Sequence, residues 1–176
     1  MSAVVFLRAI NVGTANRCRP AEIAKKLKKF DVVNIGAVGT FVVRKDVDES
    51  TLRAAIARQL PFKVEIMICP ARDLLKLAAK DPFVDEPSGP NFIRFVNVMH
   101  KPLRKRPALP LCLPSDADWV AKIIAIQGRF VLGMYRREMK AIGYLAGLEK
   151  IFGAKVTTRS WSTIVAIARI LQPERK

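Results

Sequence analysis

The chain has 176 residues, 51% of them hydrophobic and 26% charged, and its 31 Lys and Arg against 15 Asp and Glu give a formal net charge of +16. That apolar share excludes a disordered polyelectrolyte, and the length allows one ordinary domain or two small ones around a real core. No apolar run approaches the roughly 20 residues needed to span a bilayer, so no membrane partner is expected.

Residues 2–7 (SAVVFL) read as a buried strand, being short, continuous, β-branched and aromatic. The run stops at Arg8 without a basic leader or a cleavage site, which argues against a secretory signal. A cytoplasmic location with reduced thiols follows as the default. Cys18, Cys69 and Cys112 stand far apart with no CxxC or Cys/His cluster, so no metal, cofactor or disulfide framework is expected. After a turn at Asn11, Val12 and Gly13, Pro20 suits the start of a helix whose apolar face is Ile23, Ala24, Leu27 and Phe30. Strands follow at 32–35 and 40–44. Asp46, Asp48 and Glu49 sit at the start of a helix reaching Leu60, where acids oppose the positive end of the helix dipole. Residues 63–68 (KVEIMI) alternate like a strand with one wet face, and a third helix covers about 72–80.

Strand, helix, strand, strand, helix, strand is the split βαβ order. Residues 81–90 (DPFVDEPSGP) have the composition of a connector. The pattern then restarts: a strand at 92–99, a hairpin of 120–126 and 129–135, a helix at 144–152 ending at Gly153, a strand at 155–157, and a last helix that Ser160 would cap. Between the first two of these strands, residues 100–118 carry prolines at 102, 107, 110 and 114, a density that a helix does not accept. A long loop is expected there, with one helical turn near Ser115. The PxxP spacings within it mark a stiff extended loop before they mark a partner ligand. The expected fold class is α+β, with two ferredoxin-like (βαββαβ) halves, antiparallel sheets and helices on one face. The first half covers 1–83, a connector 84–90, and the second half 91–176, in which the first helix is shortened or missing.

Four stretches carry a family resemblance: RAINVG at 8–13, VGTFVV at 38–43, DPF at 81–83 and KVTTRSWSTI at 155–164. Together they resemble the bacterial uncharacterised family catalogued as domain of unknown function 1697 (DUF1697). The resemblance implies a duplication of two ferredoxin-like halves and supplies no catalytic residue. Against the family's pattern, Ala9 replaces a Gly, Val38-Gly39-Thr40 stands for Ser-Gly-Asn, and Arg159-Ser160-Trp161-Ser162-Thr163 stands for Arg-Asn-Trp-Asn-Thr.

Charge is the strongest functional signal. Residues 1–90 net +5 and residues 91–176 net +11. Lys101, Arg104, Lys105 and Arg106 gather in the proline-rich loop, and Arg129, Arg136, Arg137 and Lys140 flank the hairpin. A nucleic acid or another polyanion is therefore the expected partner, bound without catalysis and with a steep salt dependence. Ferredoxin-like sheets also serve as RNA platforms through exposed aromatics, for which Phe41, Phe95, Phe130 and Tyr135 are the candidates. The RNA-recognition-motif signature itself is absent.

The alternative is an anionic-metabolite site or enzyme between the halves. Arg8, Asn11 and Arg17 in the first turn and Arg159, Ser160 and Thr163 near the C-terminus would line it, with backbone N–H groups at a helix start favouring an anion. Ordinary turn and capping roles compete with that reading. His100 has no acid or serine partner nearby in sequence and the carboxylates are scattered, so no catalytic residue is nominated. A homodimer is a third possibility.

Overall fold

A computed structural model describes residues 2–103, 105–115 and 118–172. Contacts divide the chain into two units, Met1–Ala79 with Thr163–Lys176, and Lys80–Ser162. The acid-rich residues 81–90 thus belong with the second unit, and most of the last helix with the first.

In the first unit β1 (Ala3–Leu7) is followed by α1 (Pro20–Lys26), β2 (Val32–Ile35), β3 (Thr40–Val43), α2 (Glu49–Ala57), β4 (Ile66–Pro70) and α3 (Ala71–Ala78). The sheet order is β2-β3-β1-β4 with every neighbour antiparallel, which is the ferredoxin-like arrangement. Period-2 geometry sends Ala3, Val5 and Leu7 to one face. There they share a buried cluster with Ile23, Ala24 and Leu27 from the first helical stretch and Leu52 and Ile56 of α2. Pro20 opens α1, with Glu22 in its first turn and Lys25 and Lys26 in its last. Asp48 caps α2 by accepting from the Thr51 N–H at 2.9 Å. Residues 63–68 were expected to have one wet face. The strand instead starts three residues later and ends two later, its register on β1 running from Leu7 opposite Ile66 to Ala3 opposite Pro70, and residues 66–69 are buried throughout.

The second unit holds β5 (Phe92–Met99), β6 (Leu111–Leu113), β7 (Ala121–Gln127), β8 (Phe130–Arg136), α4 (Lys140–Phe152) and β9 (Val156–Ser160), and α5 (Trp161–Leu171) then runs into the first unit. Its antiparallel sheet has the order β6-β7-β8-β5-β9. Without β6 this is β7-β8-β5-β9, the pattern of the first sheet repeated. Among the described residues the repeat has no helix between β5 and β7, where a shortened or missing helix was expected. In its place the short strand β6 pairs with β7 at the sheet edge, a position that tolerates flanking prolines. Ser115 lies in a bend, and residues 116–117, through which the helical turn expected near Ser115 would run, lie outside the described residues. Helix α4 starts at Lys140, four residues earlier than expected, with Gly143 carried inside it, and Gly153 ends it with φ +58°.

The two faces of the second sheet differ in kind. Phe95, Met99, Ile123 and Val131 point toward α4 and pack with Leu148 and Phe152. Alternation along β5, β7 and β8 puts Arg94, Lys122 and Arg136 on the opposite face. Those cations are answered locally. Lys122 Nζ lies 2.7 Å from Glu86, Arg94 lies 3.6 Å from Asp81, and the Arg136 guanidinium stacks 5.1 Å from the Trp119 ring. Between the two acids Phe83 is fully buried, edge-on to Trp161 and under the Arg94 guanidinium.

Candidate anion-binding site

The first-turn residues are occupied by the fold. Asn11 sits at φ +53°, and its amide donates to the carbonyls of Cys18 (3.0 Å) and Ala37 (2.7 Å) while accepting from the Cys18 N–H (2.9 Å). That uses both ends of the amide to clamp the loop. Arg17 donates to the Gly13 carbonyl at 3.0 Å. Helix α1 has only seven residues, and the Arg19 side chain does not cap it. Arg8 is half-buried, and its N–H donates to the Glu65 carbonyl.

The C-terminal candidates are also tied into structure. Arg159 lies within β9 and is 5% exposed. It donates to Thr157 Oγ1 and to the Thr158 carbonyl, both at 2.8 Å. Burial pushes its pKa down to about 10. Ser160 ends β9, with its hydroxyl 2.8 Å from that of Ser162. Thr163 belongs to the first unit and Arg159 to the second.

The basic candidates separate into two kinds. Arg129 is half-buried and holds the end of β5, donating to the carbonyls of Met99 (2.7 Å) and His100 (3.0 Å). Arg136 is half-buried on the face away from α4. Arg104 lies outside the described residues. Lys101, Lys105, Arg106, Arg137 and Lys140 are exposed and form no ion pair among the described residues.

Helix α4 connects these exposed cations. It runs back across the sheet from the end of β8, where Arg137 and Lys140 stand, to the start of β9. Thirteen residues at 1.5 Å each give it a length of about 20 Å. Near its C-terminal end, the His100 N–H bonds the Lys155 carbonyl, and Leu103 packs into the cluster containing Leu148 and Phe152. Lys101 directly follows His100 and so stands near the C-terminal end of α4, Arg137 and Lys140 stand at its N-terminal end, and Lys105 and Arg106 belong to the loop that continues past Leu103. Sequence spacing had not linked them through the helix, although Lys140 and Lys150 with no exposed acid between them were a readable signal.

The aromatic platform does not exist. Phe41, Phe95 and Phe130 are buried, and Tyr135 is half-buried against Phe95 on the α4 side. Among the described residues no group of three or more His, Cys, Asp or Glu is placed to hold a metal ion.

Comparison with known proteins gives a family and a fold. The family described as "Protein of unknown function (DUF1697)" matches over residues 1–111. A solved structure, the conserved bacterial protein SP0830 from Streptococcus pneumoniae, is similar with a TM-score of 0.62 at 14% identity, covering 97% of this chain and 98% of that one. No curated protein matches the chain in sequence.

Proposed function

The chain belongs to the DUF1697 family, and we propose that this member binds polyanions without catalysis, with the phosphate backbone of a nucleic acid as the ligand. The observation that carries the reading is the set of exposed, unpaired cations near α4: Arg137 and Lys140 at its N-terminal end, Lys101 near its C-terminal end, and Lys105 and Arg106 in the basic loop that continues from Lys101. Arg129 supports the site by fixing the backbone at the end of β5 from which the basic loop departs. A separation of about 20 Å along α4 spans several phosphates of an extended or duplex strand. The net +11 of residues 91–176 adds long-range attraction.

The test is fluorescence anisotropy with a labelled 20-nucleotide duplex at 50 and 200 mM salt. Five phosphate contacts give a log–log slope of about −4.5, so affinity falls about 500-fold over that fourfold rise in salt. Replacing Lys101, Lys105 and Arg106 together by Gln reduces the slope by about 2.7. A slope near zero, or one unchanged in the triple variant, overturns the reading.

A further inference from the structure

Helix α4 carries more than cations. Of the large hydrophobic side chains exposed among the described residues, three lie on or beside this one helix: Met139 is 84% exposed, Ile142 65% and Ile151 46%. Met139, Ile142, Gly143 and Ala146 fall at i, i+3, i+4 and i+7, so they form one continuous ridge on the outward side. The inward side is separate, formed by Ala141, Leu145, Leu148 and Phe152. Helix α4 is therefore apolar on both sides, although only one side is covered. Contiguous exposed apolar surface of this kind marks an interaction site.

Charge selects the occupant. Arg137, Lys140 and Lys150 border the ridge, all exposed and without an ion pair among the described residues, and Lys101 follows His100, which bonds the Lys155 carbonyl just past the end of α4. Exposed Glu138 is the acid nearest the ridge, since half-buried Glu149 is used accepting from the Val156 N–H. A second copy would bring these cations against each other, on a chain of formal charge +16. The complementary surface is both apolar and anionic. Shape narrows it further: the ridge is convex, and nothing lies within 4 Å of a Cβ placed on Gly143 or Gly147. Protein partners bury their anchors in pockets, whereas a lipid interface deforms around a protruding side chain.

We propose that the outward ridge of α4 is a peripheral docking surface for an anionic phospholipid bilayer, with Met139 and Ile142 entering the acyl boundary and the flanking cations meeting headgroup phosphates. Among the described residues no helix is long and apolar enough to cross a membrane, and that length criterion leaves attachment in the plane of the interface open. The inference goes beyond nucleic-acid binding, although the two use overlapping cations.

Vesicle flotation tests it, using large vesicles of phosphatidylcholine alone and of equal phosphatidylcholine and phosphatidylglycerol, at 150 mM salt. The full chain floats with the mixed vesicles and stays behind with the neutral ones. The double variant Met139→Ser, Ile142→Ser keeps every charge and floats at least tenfold less, while its anisotropy titration with the duplex is unchanged. Both side chains are solvent-exposed, so its circular dichroism and Tm match the parent. An environment-sensitive fluorophore attached at Ile142→Cys shifts to the blue with mixed vesicles. The proposal is overturned if the double variant floats like the parent, if neither floats, or if the parent is a dimer by gel filtration that the double variant dissolves. Loss of flotation with intact duplex binding supports the proposal. Loss of duplex binding in the triple Gln variant concerns the nucleic-acid reading alone.

Discussion

Ala9 is the residue whose replacement reports most directly on the backbone. It adopts φ +53°, in the left-handed region, immediately after Arg8. An L side chain there crowds the following carbonyl at a cost of about 1–2 kcal/mol. Glycine removes that cost but adds about 0.5–1 kcal/mol of conformational freedom to the unfolded chain. The Ala9 methyl faces solvent, so no packing term enters. The difference leaves Ala9→Gly more stable by about 0.5–1 kcal/mol, and Tm higher by about 1–4 °C for a chain of this size. Both tryptophans, Trp119 and Trp161, lie in the second unit, so far-UV circular dichroism is the suitable probe for this change. Without left-handed strain only the entropy term remains and its sign reverses. A variant less stable than the parent, or equal to it, refutes the argument. Glycine stands at this place in the family's pattern, and the left-handed backbone angle gives the physical reason.

Gly39 is the reciprocal case. It has φ +71°, and an added Cβ would lie 2.6 Å from Ile10 Cδ1 and 2.8 Å from Leu7 Cβ, so Gly39→Ala lowers stability by about 2–4 kcal/mol in urea titrations. Phe83→Ala opens a cavity between Trp161 and Arg94 and costs about 3–5 kcal/mol, visible as a lower denaturation midpoint by tryptophan fluorescence; a midpoint within error of the parent counts against burial at that site. The hydrogen bonds from Ser50 and Thr51 hold the Asp48 carboxyl well below the usual aspartate range. A depressed folded pKa gives stability that is present above the unfolded value and lost as pH falls toward the folded one. Urea midpoints of the parent therefore fall through the acid range more steeply than those of Asp48→Asn, which keeps the cap but has no carboxyl to titrate.

Much of the first unit was legible because its local signals agree. Pro20 at a helix start, the acids at the start of α2 and the β-branched run of β1 each specify one state, and together they give the order βαββαβ. The second unit was less legible for identifiable reasons. Strand β6 has three residues and is defined by its pairing of Leu111 with Ile123, a long-range contact with no local periodicity. The first turn of helix α4 carries Gly143, a poor helix former that the expected helix left out, while the hold of α4 on the sheet comes from Leu148 and Phe152. Asn11 illustrates the same limit at a candidate site. Its type and position suggested a ligand contact, and the carbonyls that consume its amide come from Cys18 and from Ala37, 26 residues away.

The charge count carried the functional reading furthest, and its weakness is physical. A cation contributes to a binding surface only if nothing in the protein has already claimed it, and sequence records the number without the claim. Arg129 is taken up by two backbone carbonyls and Arg136 by the Trp119 ring, while Arg94 and Lys122 face Asp81 and Glu86. The acids in residues 81–86 were read as loop composition. Asp81 and Glu86 are instead paired with Arg94 and Lys122 on one sheet face, each cation next in sequence to an apolar residue that points to the other face. Subtracting those claimed charges removes the face opposite α4 from the binding surface and leaves the two ends of α4. The helix between them is apolar on its outward side, which a duplex phosphate backbone does not use and a lipid interface does. The Ser double variant, which keeps every charge, therefore separates the two proposals that net charge alone merges.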